Sequence, residues 1–406
     1  MRKRHFLFAS ALALFCSSGA LHAQDFKLTS SGYFKNQGVD VMAFDDIYPE
    51  GHQGGVCIIM NGHRVATNGD IRLEATPGQW QPVPKQLDRK LGDNSITATL
   101  CYPDSSRHLT GFNPMIYPDL HLIYTVNVES KGKNIEVTVD LDRPIPQEFI
   151  GKVGFNLEFF PGSLFGKPWI MDGQSGIFPQ QPNSPLMTTQ PNYLHTGNYH
   201  DGKKSLADMD KLIGKGYSPI VADDIISEPY AKGTKFTSRP DDPYNKVTIE
   251  SLSGDLQLFD GRMNHNNGWF VLRSNIKPGV TKGAVKWIIT PNVVADWMYQ
   301  PVIQTSQIGY HPAQDKEAVI EMDIRDNRKE MAQIIRIDAD GEKVVKNVTP
   351  ANWGKFLRYN YLKVNFTDVK EPGLYKIKYN TSVSPIFRID NDVYARGVWQ
   401  PVLEYF

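Results

Sequence analysis

The run "NIEVTVDLD" allows very few folds. Ile135, Val137, Val139 and Leu141 alternate with Glu136, Thr138, Asp140 and Asp142. That is a repeat of two, the spacing of a strand with one apolar and one wet face. A helix, with its 3.6-residue repeat, would scatter the same residues around its circumference. The preceding "HLIYTVNVE" is separated from it by "SKGK", so the two read as a hairpin. The pattern recurs. "GVCIIM" and "HRVAT" flank Asn61-Gly62, a strong two-residue hairpin signal. "KVTIESLS" and "DLQLF" meet at a Ser-Gly turn, and "GWFVLRSNI" with "GAVKWIITP" reads as another pair. Strands joined by hairpins, without alternating helices, predict an all-β fold: a large amino-terminal β-sandwich-like domain followed by a smaller sandwich.

At 406 residues, with 40% hydrophobic and 22% charged side chains, the chain can build two or three globular cores. The first β-rich domain is expected over 24–300. Within it, 161–244 is rich in Pro, Gly and Asn and reads as long loops; its "SLADMDKLIGKG" is a short amphipathic helix candidate. A boundary falls near Pro301. Over 301–392 strand patterning becomes dense: "AQIIRI", the turn "DADG" and "EKVVKN" form a hairpin, followed by "YNYLKVNF", "GLYKIKY" and "SPIFRI". Seven or so short strands in that length suit an immunoglobulin-like sandwich. In "GLYKIKY", Leu374, Ile377 and Tyr379 do not alternate perfectly. In the tail, 393–406, Tyr394, Val398, Val402 and Tyr405 recur at helical spacing.

The amino terminus reads as an address. "MRKR" is a basic region, "FLFASALALF" an apolar one, and "ALHA" ends on a small residue suited to cleavage after Ala23, the grammar of a secretory signal peptide over 1–23. Cys16 follows Phe15, where lipid attachment calls for a small residue. Later segments do not approach the about 20 apolar residues of a membrane helix. Export to the periplasm or beyond is expected. The full chain balances 44 Lys and Arg against 44 Asp and Glu, and cleavage would remove three bases and no acids. That charge, unclustered, predicts no nucleic acid partner. Cys57 and Cys101 would remain. An oxidising compartment would let them form a disulfide; the alternative is two small buried thiols.

Chemistry is sparsely signalled. A glycosidase needs two carboxylates with separated pKa values, yet Asp45-Asp46, Asp223-Asp224 and Asp241-Asp242 all sit in turn-like surroundings. "HTGNYHD" brings His195, His200 and Asp201 together without the spacing of a zinc helix. "DGQSG" lacks the serine-elbow spacing, and "DADGE" from Asp338 to Glu342 opens like a calcium loop that no bidentate Glu closes. Neither a metal nor a cofactor is implied. Aromatic rings could stack on the apolar C–H faces of sugars. Trp80, Trp169, Phe178, Tyr193, Tyr199 and Trp269 lie in or near loops; Trp169, Phe178, Tyr193, Tyr199 and Trp269 are the carbohydrate-binding candidates, against the alternative of ordinary packing. Trp287 and Trp297 are expected in the core.

From about residue 303 a specific set of residues recurs in order: Gln307, Gly309, Tyr310 and Pro312 in "SQIGYHP", then Lys316, then Phe366, Pro372, Gly373 and Tyr375, then Ser384, Phe387 and Tyr394. The set resembles the immunoglobulin-like module of glycoside hydrolase family nine, the cellulase family. Gly309 by itself predicts close packing or a positive φ. Residues before 300 more loosely resemble the β-rich amino-terminal region of such enzymes from gut-dwelling and related bacteria. In the family the module precedes a helical catalytic barrel carrying an Asp-Ala-Gly-Asp motif. "DAGD" occurs nowhere here, while "PVLEYF" resembles the opening of the barrel's first helix. The resemblance therefore implies a non-catalytic front portion of an endo-β-1,4-glucanase acting on cellulose, β-glucan or xyloglucan. Its partners would be that polysaccharide or the barrel, and no catalytic residue carries over. Two rival readings stand beside it: a free-standing glycan-binding sandwich over 24–300, and an independent enzyme with a site near His195 to Asp201 or Asp223.

Overall fold

The computed structural model describes residues 25–45, 54–74, 84–102, 104, 120–182, 186–188, 225–263, 268–395, 397–399, 403 and 405. The chain divides into two compact units: Met1–Ile58 with Arg64–Asp296, and Ile59–His63 with Trp297–Phe406. Both are built from antiparallel sheets, and the fold is all-β.

The first unit stacks two nine-stranded sheets. One runs, in spatial order, through Lys27–Leu28, Phe34–Asn36, Val39–Ala43, Val56–Met60, His63–Leu73, Val153–Phe159, Phe270–Asn275, Leu256–Asp260 and Ala231–Gly233. The other runs through Gln174–Ile177, Pro168–Met171, Lys235–Ser238, Val247–Ser251, Val285–Pro291, Asn134–Leu141, Leu122–Lys131, Ser95–Tyr102 and Lys85–Leu91. The alternation that opened the sequence reading is realised. Ile135, Val137, Val139 and Leu141 are buried, and the intervening side chains are half-buried. The Asn61-Gly62 turn has both residues at positive φ, 53° and 84°, as a type I′ hairpin requires.

Two expected hairpins are not hairpins. Val247–Ser251 and Val285–Pro291 pair with each other in the second sheet, while Leu256–Asp260 and Phe270–Asn275 pair with each other in the first. The chain crosses between sheets at Ser253-Gly254 and again after Asn275. Period-two burial is the same for both arrangements, so local pattern does not separate a hairpin from an arch. The 161–244 stretch, read as loops, also carries strands at Pro168–Met171, Gln174–Ile177, Leu186–Thr188, Ile225–Ser227, Ala231–Gly233 and Lys235–Ser238. The helix expected at 205–216 lies outside the described residues.

An apolar contact joins the sheets where Phe155 meets Trp287 edge-on, 5.0 Å between ring centres. Trp287, fully buried as expected, donates its ring N–H to the Ser274 hydroxyl at 3.0 Å. Beside this lies a buried ionic cluster. Arg273 Nη1 donates to Glu74 Oε1 at 3.0 Å and to Asn156 Oδ1 at 3.2 Å, and Arg273 Nη2 donates to the Lys152 carbonyl at 2.8 Å. Asn156 also donates to Glu74, and Asn68 to Glu158. Asp70 accepts from the Tyr124 hydroxyl and the Ile71 N–H, each at 2.8 Å. Burial first of all raises the Asp70 carboxyl, and Arg72 only partly offsets this.

A buried charge stripped of its partner is strongly destabilising. Arg273→Met is therefore expected to lower unfolding free energy by ~3–5 kcal/mol, and adding Glu74→Gln should recover part of that loss, measured by denaturant unfolding of the wild type and the two variants.

The second unit pairs a four-stranded sheet with a five-stranded one. The first has the order Val302–Gln304, Glu317–Asp323, Tyr359–Asn365, Ala351–Phe356. In the second, Gly341–Val348, Ala332–Asp338, Gly373–Tyr379 and Ser382–Val383 follow one another, and Phe387–Ile389 also pairs with 373–379. The "DADG" segment is the expected hairpin turn, with Asp338 opposite Gly341. In 373–379 the alternation is regular after all: Tyr375, Ile377 and Tyr379 are buried, and Leu374 is exposed. The aromatic hub is Tyr310, whose ring meets Phe366 at 5.1 Å and Phe387 at 5.3 Å. Its hydroxyl donates to the Glu317 carbonyl and accepts from the Ser306 N–H, both at 3.0 Å.

Gly309 stands directly before that hub with φ 106°, and a Cβ there would lie 2.4 Å from the Arg388 carbonyl oxygen. Both physical expectations for this glycine hold. Gly309→Ala must strain the backbone and push apart the pairing around Tyr310, so a loss of roughly 2–4 kcal/mol is expected, read as a lower denaturant midpoint for the second unit.

Candidate functional site

Of the aromatic side chains singled out in sequence, the described ones are Trp169, Phe178 and Trp269. Trp169 is 6% exposed: its ring packs near Tyr230 and occupies the space above Gly176, where a Cβ would come within 2.4 Å of it. Phe178 is fully buried against Phe270, 4.7 Å between centres. Neither ring offers a face to solvent, because both point inward from strands or strand ends that the sandwich covers. Trp269 is half-buried and meets Phe160 edge-on at 4.4 Å. Tyr193 and Tyr199 lie outside the described residues, as do Trp80, His195, His200, Asp201 and Asp223-Asp224.

The acids that are described have structural work. Asp242 takes hydrogen bonds from the Tyr244 N–H at 2.9 Å and the Asn245 amide at 3.0 Å, and pairs with Arg239. Burial raises its carboxyl, but these partners outweigh it and leave the group below its usual range. Asp172 of "DGQSG" sits in a hairpin turn and accepts from the Thr234 and Lys235 N–H groups at 2.8 and 3.0 Å. Asp338 accepts from Arg336 at 2.9 Å. Cys57 is buried in the first sheet and Cys101 half-buried in the second.

An exposed aromatic surface lies elsewhere, on the outer face of the four-stranded sheet in the second unit. Strand alternation places Tyr359, Tyr361 and Lys363 there, opposite Asp323, Glu321 and Val319 on the neighbouring strand. Tyr299 packs on Tyr359 at 5.0 Å, Tyr359 on Tyr361 at 6.2 Å, and Tyr361 meets Trp353 edge-on at 5.6 Å. Trp297, expected in the core, is half-buried and extends this row from Tyr299 at 6.4 Å. Glu321 anchors the row, accepting from the Tyr299 hydroxyl at 2.9 Å and the Tyr361 hydroxyl at 3.3 Å. Burial and then that carboxylate push the Tyr299 phenol up, so it remains a donor.

Trp353 reaches the surface through a backbone irregularity. The pairing of 351–356 with 359–365 slips between Asn352 and Gly354, and Gly354 has φ 123°. The extra residue of such a bulge is free to re-aim its side chain. Trp353 and Phe356 are 55% and 56% exposed. With Val319, Tyr361 and Lys363 they line a cavity of about 260 Å³. Sequence reading overlooked this surface, although "NWGKFLRYNYLKV" holds four aromatic residues in one hairpin. The signal was there; the bulge that turns Trp353 outward was not.

Comparison with known proteins bears on this unit. Residues 298–384 match the family model of the cellulase N-terminal ig-like domain. The resemblance noted from Gln307 onward is thus supported, and the second unit carries a cellulase-type immunoglobulin-like domain. Its sequence marks have physical roles: Gly309 makes the close approach, Tyr310 is the hub, and Lys316 is buried with its ammonium donating to the Pro312 and Gln314 carbonyls at 2.9 and 3.0 Å. A search of curated proteins finds no match. Among solved structures, a metagenome-derived glycoside hydrolase family 9 endoglucanase is 29% identical over 22% of this chain and 18% of its own, with a TM-score of 0.20. HI1317 is 7% identical over 66% of this chain and 98% of its own, with a TM-score of 0.26. Superpositions this loose bear on neither fold nor function.

Asp323 contributes to the domain's response to low pH. Asp323 is buried, which alone would raise its carboxyl. The Arg325 guanidinium at 2.8 Å and the Arg325 and Tyr299 N–H groups at 3.0 Å outweigh this and hold it at about 2. A folded-state value below the unfolded one gives stability that is complete above the unfolded carboxylate range and is lost as pH falls through the folded value. Between pH about 4 and about 2 the wild-type domain should lose stability more steeply than Asp323→Asn, measured as denaturant midpoints across that window.

Proposed function

We propose that this chain is the non-catalytic accessory portion of a secreted glycoside hydrolase of the endo-β-1,4-glucanase type, acting in plant polysaccharide breakdown. The observation that carries the reading is the match of 298–384 to the cellulase N-terminal ig-like domain. The address read at 1–23 supports export, and the apolar run there precedes a suitable cleavage site. The 24–300 region would extend the accessory portion in front of the module at 301–392. The module's partner would be a helical catalytic barrel, and its substrate context cellulose, β-glucan or xyloglucan.

Three of the aspartates weighed in sequence are consistent with a non-catalytic role. Hydrolysis needs an acid and a base or nucleophile facing a shared cleft, whereas Asp172, Asp242 and Asp338 are occupied by backbone amides or arginine. Purified protein incubated with carboxymethyl-cellulose, barley β-glucan or xyloglucan is expected to release no reducing ends. Steady release that scales with protein concentration would end the non-catalytic reading.

A further inference from the structure

We propose that the outer face of the four-stranded sheet in the immunoglobulin-like domain is a binding platform for a neutral β-linked glucan chain, seated against Trp353, Phe356 and Tyr361. The choice of glucan over another neutral glycan rests on the function proposed above; the platform itself rests on geometry.

A sugar ring has apolar C–H faces edged by hydroxyls, so its site needs exposed ring surface with polar groups at the border. Trp353 and Phe356 expose more than half their surface, and Trp353 stands perpendicular to Tyr361, at 90°. One ring can therefore serve as a floor and the other as a wall. Together with Val319 and Lys363 they line an open concavity of about 260 Å³, just below the usual lower limit of small-molecule sites, roughly 300 Å³. Tyr361 is already held in place by Glu321 and by its contacts with Tyr359 and Trp353. A ligand would spend little free energy on ordering that ring.

The charges at the border select for a neutral ligand. Lys363 is paired with Glu317 at 2.7 Å, and Glu321 takes the hydroxyls of Tyr299 and Tyr361. Lys363 is the one charged residue of the lining and Glu317 offsets it, so the lining itself offers no free charge to an ionic partner, while Lys363 and the Tyr361 hydroxyl keep N–H bonds and lone pairs for equatorial hydroxyls. The ring-walled concavity also suits a narrow chain better than a protein surface, which at a stable interface buries about 800 Å² per side.

Calorimetric titration of the full chain with cellohexaose, mannohexaose and xyloglucan oligosaccharide tests the proposal, with Trp353→Ala, Phe356→Ala and Trp269→Ala alongside. Their folding is checked by circular dichroism, and their association state by sedimentation. The expected result is saturable binding of cellohexaose that weakens at least tenfold in Trp353→Ala and Phe356→Ala and is unchanged in Trp269→Ala. Binding of mannohexaose alone with the same variant pattern would keep the platform and overturn its glucan specificity, and with it the substrate context. No binding of any sugar at millimolar concentration, binding indifferent to Trp353→Ala, or self-association that Trp353→Ala abolishes would overturn the platform. Hydrolytic activity with intact binding would overturn only the non-catalytic reading.

Discussion

A strand of alternating residues has one face that water disfavours, and each unit of this protein exists because two sheets hide those faces against each other. Trp287 against Phe155 in the first unit, and Tyr310 against Phe366 and Phe387 in the second, are aromatic contacts of that kind. Everything else follows from the need to keep polar groups satisfied while the faces close. The Trp287 ring nitrogen finds Ser274, the Tyr310 hydroxyl finds two backbone partners, and Lys316 turns its ammonium onto two carbonyls.

The first unit goes further and buries charge. Arg273, Glu74 and Asn156 form a closed network, with Asp70 and Tyr124 nearby. Ion pairs of this kind add little net stability compared with apolar packing of the same volume, but they penalise any register in which one partner is missing. In a nine-stranded sheet whose strands are all apolar on one face, such a network helps fix register.

The second unit shows how one irregularity creates a surface. A sheet packed on one side has an outer face that is normally polar. Here Tyr359, Tyr361 and Tyr299 occupy that face under the control of Glu321, and the bulge at Asn352–Gly354 adds Trp353. The result is an exposed aromatic concavity on a domain whose family match lies in cellulases. Asp323, held ionised by Arg325 and Tyr299, secures the end of the same row.

The sequence by itself determined the all-β class, the face each residue of 134–141 presents, the I′ turn at Asn61-Gly62, the need for glycine at 309 and the cellulase-type module. Each of these is settled by residues close in the chain: a period of two, a pair of positive φ angles, a missing Cβ, a short ordered motif. Only the tertiary structure decided that 247–251 and 256–260 lie in different sheets, that Trp169 and Phe178 are core, that Cys57 and Cys101 lie in different sheets, and that Trp353 is exposed. Strand pairing and burial depend on which distant segments arrive to cover a face, and alternation looks the same whichever segments those are.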